Sequence, residues 1–263
     1  MRNIEYVMFL TAMLAIYGCS GDKSKALTFE TVNTEKTVSI TDENDAPKCS
    51  VHLTLAAVPE DQGERAANVN GTLAQQLLEI ETTSLKLAAD SFATSYTESY
   101  RRNMAPLYRE DSSDPDKHAW YEYHYYVTGD ACPGKNGVTV YTAKVDYYEG
   151  GAHGINQHIV MNFDNKTGKL LTLADVFAPG YELQLTEMLS EKLMEQTGTS
   201  RLDELRQQGY LYAMDMFATE NFALGKDGIT FVYNPYEIAP YDKGMIELVI
   251  DYEQCNKILQ SAD

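Results

Sequence analysis

Basic side chains are scarce in this chain: 21 lysines and arginines stand against 39 aspartates and glutamates, a formal net charge of −18 over 263 residues. That deficit argues against a nucleic-acid partner, because phosphate binding runs on Lys and Arg displacing condensed counterions. A cationic partner stays open, although acidity by itself speaks first to solubility. Four cysteines include no C-x-x-C pair, so a zinc ribbon or a thioredoxin-type redox motif is absent. No G-x-S-x-G, no H-E-x-x-H and no other paired nucleophile and base occurs. The expectation is therefore no catalytic set, no cofactor and no metal. Internal repeats and low-complexity tracts are missing too. The apolar run from Tyr6 to Tyr17 is about a dozen residues, short of the ~20 that a membrane-spanning helix needs.

What that run does suit is the h-region of a signal peptide, behind Met1 and Arg2 with Glu5 as a blemish. It ends in Ile16-Tyr17-Gly18-Cys19, which resembles the lipobox of bacterial lipoproteins: apolar at minus three, small at minus one, then the modified cysteine. Tyr17 is bulkier than the usual occupant of its position. The resemblance implies a signal peptide over 1–18, lipidation of Cys19 and a polar tether over 19–26. The alternative is an ordinary secretory signal with a chance cysteine. Two or more acyl chains on one cysteine give stable anchoring where one chain would not. The mature protein is then expected in the cell envelope, membrane-attached through its lipid alone. Losing residues 1–18 removes one Arg and one Glu, so the charge is unchanged.

Hydrophobic residues make up 44% of the chain and aromatics 11%, enough for a real core. Alternating segments at 27–40 and 48–57 predict two strands across the turn TDENDAP. Apolar residues at three- and four-residue spacing predict a long amphipathic helix over about 82–108, preceded by a shorter one. Aromatic-rich strands follow at 118–127 and 137–148. The segments 155–165 and LLTL form a hairpin around DNKTGK. That loop lacks the Asp series and distal Glu of a calcium site and reads as a turn. Residues 173–177 end the strand, and helices are predicted over 181–196 and in SRLDELRQQG. Strands near 222–224, 229–233 and 245–252 lead to a C-terminal helix. Strands and helices do not alternate one for one. The fold class expected is α+β, mainly antiparallel sheets with helices packed on one face, in one large domain or two small ones.

With Cys19 lipidated, Cys49, Cys132 and Cys255 are left over. In an oxidising envelope one disulfide and one buried thiol are expected. Cys49 opens a strand and Cys132 sits in a loop just after another, so these two are paired here, and Cys255 reads as a small buried hydrophobe.

Three stretches are distinctive together: Tyr147-Tyr148-Glu149-Gly150-Gly151-Ala152-His153-Gly154; Phe163 to Lys169 followed by Leu173-Ala174-Asp175-Val176-Phe177; and Phe231 to Tyr241, which contains Asn234-Pro235-Tyr236-Glu237-Ile238. Their order and spacing resemble the uncharacterised extracytoplasmic domain of the RsiV-like anti-sigma factors and PdaC-like peptidoglycan deacetylases, across about residues 118–263. Residues 27–110 resemble the smaller α+β domain that precedes it, and the resemblance implies two sub-domains, 27–115 and 116–263. In RsiV-like proteins the domain binds lysozyme as a signal receptor; in PdaC-like proteins it accompanies a catalytic domain. The deacetylase's Asp-Asp metal motif is missing here, and only five residues stand before Tyr6, so neither activity carries over intact.

The resemblance implies a non-catalytic, lipid-anchored envelope protein that binds a cationic, lysozyme-like protein or a peptidoglycan fragment. Candidate binding residues are Tyr148, Gly150, Gly151, His153, Asn234, Tyr236 and Tyr241. Glycines around His153 let the backbone take positive φ and carry an imidazole to a strand edge. Tyrosines between Pro235 and Pro240 suit a contact surface, because rings bury area at small entropic cost. A plainer reading has His153 bonding the turn and the tyrosines filling gaps in the core. Two rivals stand beside binding: a cell-wall or glycan hydrolase using His153 as acid or base, and a purely structural envelope component.

Overall fold

The computed structural model describes residues 26–111, 113–212 and 214–260. The expected signal peptide, Cys19 and nearly all of the tether lie outside the described residues. Among the described residues no helix is long and apolar enough to cross a membrane.

Two ten-residue strands, β1 (Glu30–Ser39) and β2 (Lys48–Ala57), pair antiparallel with Glu30 opposite Ala57 and Ser39 opposite Lys48. In β2 the alternation is clean: Cys49, Val51, Leu53, Leu55 and Ala57 are buried, while His52 and Thr54 face out. Helix α1 (Glu64–Leu78) follows, burying Ala66, Val69, Leu73 and Leu77 at helical spacing. Helix α2 (Leu85–Asp111) buries Leu85, Ala88, Ala89, Ala93, Tyr100 and Tyr108. It starts three residues later than expected because Ser84 takes the Leu87 N–H as a cap.

Strand β3 (Tyr123–Pro133) lies parallel to β2, with Cys49 opposite Tyr123. The expected strand over 118–127 is corrected at its start. Residues Pro115–Tyr121 form a 3-10 helix, begun by Pro115 at the first position with the Asp114 carboxylate accepting the Asp116 N–H. Antiparallel strands β4 (Val138–Tyr148), β5 (Ile155–Asp164) and the two-residue β6 (Leu170–Leu171) complete a six-stranded sheet in the order β1-β2-β3-β4-β5-β6. Residues Leu173–Val176, read above as the end of a strand, are instead a single helical turn, α3. Asp175 fixes it by accepting both the N–H and the hydroxyl of Thr172.

Helices α4 (Glu182–Thr197) and α5 (Leu202–Gln207) precede a second, antiparallel sheet, β7 (Phe222–Leu224), β8 (Gly228–Tyr233) and β9 (Ile246–Asp251), and the chain closes on the helical turn α6 (Tyr252–Cys255). The fold class is α+β with mostly antiparallel pairing, as the sequence suggests.

One core lies between α1, α2 and the first sheet, around Leu53, Leu73, Tyr141 and Phe163. A second packs α4 and α5 on the three-stranded sheet, around Leu189, Phe222, Phe231 and Ile250. Each fully buried side chain of this kind contributes about 1.5–3 kcal/mol relative to exposure. Val140 and Val160, on the far face of the first sheet, meet Val232 on the far face of the second. The packing order there is helix, sheet, sheet, helix. The first sheet draws strands from both sides of residue 115, and the two main cores divide between Leu170 and Leu173.

The expected Cys49–Cys132 disulfide is not formed: Cys49, Cys132 and Cys255 are all free thiols. Cys49 sits beside Tyr123 at the start of β3. Cys132 lies nine residues further along the same strand, about 30 Å away at ~3.3 Å per residue, whereas a disulfide needs Cα atoms within about 7 Å. Cys132 is exposed within β3 rather than in a loop. Cys255 is buried, as expected.

Candidate binding surface

The Gly150-Gly151 turn that ends β4 is dictated by geometry. Gly150 has φ +85°, and a Cβ there would fall 2.9 Å from the Trp120 carbonyl oxygen, so both backbone sign and space demand glycine. Gly151, at φ +96°, has open space around it, and its carbonyl accepts the Tyr148 hydroxyl at 2.9 Å. The turn sends His153 across to the loop between β8 and β9.

That loop is held by Asn234, whose amide oxygen and nitrogen are both engaged. Its Oδ1 accepts the His158 N–H at 2.7 Å, and its Nδ2 donates to the His158 carbonyl at 3.0 Å. The Glu237 carboxylate accepts the Asn234 N–H at 2.9 Å. Asn234 is buried and spent on structure, so it positions the surface rather than forming part of it. Tyr236, at φ +73°, is one of few non-glycine residues here in the left-handed region, and its side chain is 60% exposed. A left-handed non-glycine residue costs on the order of 1–3 kcal/mol and persists where its surroundings hold it.

His153, Tyr236 and Tyr241 come together on the outside. The imidazole lies face to face with Tyr241, ring centroids 4.1 Å apart, and with Tyr236 at 6.5 Å. His153 Nδ1 donates to the Gly154 carbonyl at 2.9 Å, which leaves Nε2 to accept the Tyr236 hydroxyl at 3.3 Å. Tyr241 donates to the same Gly154 carbonyl at 3.2 Å. The histidine bonds its own turn, as the plainer reading had it, and it also stands open with both tyrosines against it.

Tyr148 belongs to a second, adjoining run of rings on the open face of the first sheet. It lies against His124 at 6.2 Å, His124 against Tyr126 at 4.7 Å, and Tyr126 against His52 at 4.8 Å. His124 Nε2 meets the Asp146 carboxylate at 2.5 Å. The Tyr148–Gly151 bond ties this stripe of four rings, carried on β2, β3 and β4, to the turn that holds His153. The strand alternation puts His124 and Tyr126 on one face. His52 could not be added from sequence, because it enters through the parallel β2–β3 pairing, His52 opposite Tyr126. Tyr123 and Tyr125, on the other face, pack beneath Phe92, Tyr96 and Tyr100 of α2.

Two hollows share Glu237 in their walls. An apolar trough of about 470 Å³ is lined by Tyr212, Met214, Tyr236, Glu237, Ala239 and Pro240, among others. The sequence reading missed it, since apolar residues in an irregular segment look like core. A more polar cleft of about 620 Å³ runs beside β5, with Gln76, His158, Glu220, Asn221 and Glu237 on its walls. Burial lowers the His158 pKa and raises that of Glu237. Among the described residues no group of three His, Cys, Asp or Glu is placed to hold a metal ion.

Residues 174–253 match the model of a family described as a protein of unknown function, DUF3298. That span holds the second sheet and most of the second core. The whole structure is similar to the crystal structure of a DUF3298 family member from Bacteroides fragilis. The two are 28% identical with a TM-score of 0.81, covering 90% of this chain and 95% of that one. A DUF3298 family protein from Pseudomonas aeruginosa is 21% identical with a TM-score of 0.61, over 90% of this chain and 96% of that one, and shares the fold. No curated protein matches the chain.

Proposed function

We propose that this chain is an exported, lipid-anchored envelope protein that binds a cationic protein partner on its ring-lined surface without chemistry. The observation that carries the reading is the cluster of exposed His153 and Tyr236 with half-buried Tyr241, held by a turn and a loop with hydrogen bonds of their own. Rings already fixed in place lose little entropy on contact. The −18 charge favours a basic partner by steering, and the resemblance to RsiV-like domains makes a lysozyme-like protein the first to try.

Calorimetry with lysozyme tests this. Tyr236→Ala is expected to weaken binding at least tenfold, on the order of 2 kcal/mol for a hot-spot ring. Absence of binding to the intact protein would sink the lysozyme form. Binding to muropeptides instead would replace a protein ligand with a glycan one. The anchor has its own test: Cys19→Ser should abolish labelling by palmitate and release the protein from membranes.

A second reading rests on the His153 tautomer: with Nδ1–H fixed on a carbonyl, Nε2 is the accepting nitrogen, taking the Tyr236 hydroxyl as a base would take a proton. Hydrolysis of cell-wall glycans that is lost in a folded His153→Ala variant would favour it over binding.

A further inference from the structure

Glu237 is a half-buried carboxylate that forms no ion pair with a lysine or arginine among the described residues. It lines the apolar trough, whose other lining residues named above are tyrosines, methionine, alanine and proline. Tyr212 is 85% exposed, Tyr236 60% and Met214 45%, so the rim is open to an incoming group.

From this geometry we infer that the trough takes one basic side chain of the partner, arginine in preference to lysine, with its cation on Glu237. The inference rests on the protein-binding reading above and names the chemistry of its anchor. Glu237 also borders the polar cleft, where its carboxylate accepts the Asn234 N–H, and an aliphatic side chain in the trough would fit the apolar walls but bring that carboxylate no counter-charge. A basic side chain lays its methylene stem on Met214, Ala239 and Pro240 and carries its charge to the carboxylate. A guanidinium also stacks on the tyrosine rings and binds a carboxylate through a planar fork, which an ammonium does not. The acidity of the whole chain points to the same kind of partner. Burial raises the Glu237 pKa, as expected of a carboxylate with no cation beside it.

Small probes test the trough without a protein partner. n-Butylguanidinium, n-butylammonium and 1-pentanol are titrated into the full chain, reading the backbone amide resonances of Tyr236, Glu237, Ile238 and Ala239. Saturable shifts are expected with butylguanidinium, about threefold weaker ones with butylammonium, and at least a fivefold loss of butylguanidinium affinity in Glu237→Gln with pentanol unaffected. The glutamine keeps an acceptor for the Asn234 N–H, so the loop is retained. As a measure independent of any variant, butylguanidinium affinity of the native chain should rise with pH as Glu237 ionises. Pentanol binding as tightly as butylguanidinium, or affinity indifferent both to Glu237→Gln and to pH, overturns the inference. Loss of the protein-binding reading looks different: probes bind through Glu237 but lysozyme does not. If lysozyme binding needs Tyr236 yet ignores Glu237→Gln, only the anchor falls.

Discussion

Asn162, Asn221 and Glu237 are single residues whose roles come from burial and partners as well as from side-chain type. Glu237 illustrates the electrostatic side. Its folded pKa is raised above the ordinary carboxylate value because burial disfavours the charge. The folded state therefore holds its proton where the unfolded chain has released it, and stability falls as pH rises through that window. Asp90 works in the opposite direction: hydrogen bonds from Lys86 and Thr34 lower its pKa, so its contribution is lost as pH falls. The two slopes oppose, so a difference between variants is the cleaner measurement. Urea denaturation at pH 4 and pH 7 should show Glu237→Gln gaining on the native chain as pH rises. A constant difference would contradict the assignment. The thiols give a second residue-scale prediction. Cys49 is fully buried and its pKa is pushed up to about 12, by burial first and then by Glu149. A thiolate is the reactive form. Of the three described cysteines, Cys132 should react with a thiol reagent in the native protein, and Cys49 and Cys255 only on unfolding. Rapid modification of Cys49 would refute this.

At the scale of elements, asparagine amides stand in for missing strands. β6 covers only Asn162 and Phe163 of β5, which leaves a free edge over the rest. Along it, Asn221 accepts the Val160 N–H at 2.6 Å and donates to the His158 carbonyl at 2.9 Å, and Asn234 engages both backbone groups of His158. Asn162 returns the favour to β7: it donates to the Phe222 carbonyl at 2.8 Å and accepts the Leu224 N–H at 2.8 Å. A side-chain amide carries the same donor and acceptor pair as a peptide unit, so each closes an edge that would otherwise be an unpaired strand. Asn162 is 1% exposed. Asn162→Ala should strand a buried N–H and a buried carbonyl at a cost of about 2–5 kcal/mol, measured by urea denaturation. A loss below about 1 kcal/mol would mean that water or a shifted strand replaces the amide.

At the scale of the molecule, the −18 charge is spread over two cores joined by valines and asparagines. Self-repulsion of that size opposes compaction, and salt screens it. Raising sodium chloride from 20 to 300 mM should lift the melting temperature by several degrees; a flat or falling response would show that local ion pairs outweigh the net field. The α+β class, nearly every strand and helix, and the residues of the His153–Tyr236–Tyr241 cluster are legible in the unfolded chain. Period and turn chemistry are local, and a Gly-Gly-Ala-His turn and an Asn-Pro-Tyr-Glu loop can be read where they stand. Long-range packing alone settled three other things. It separated Cys49 from Cys132 by the length of a strand, because register is set by packing. It brought His52 into the ring stripe through a parallel pairing that the intervening helices conceal. And it placed Glu237 without a basic partner on the wall of an apolar trough, since which charges lack a neighbour depends on every element packed around them.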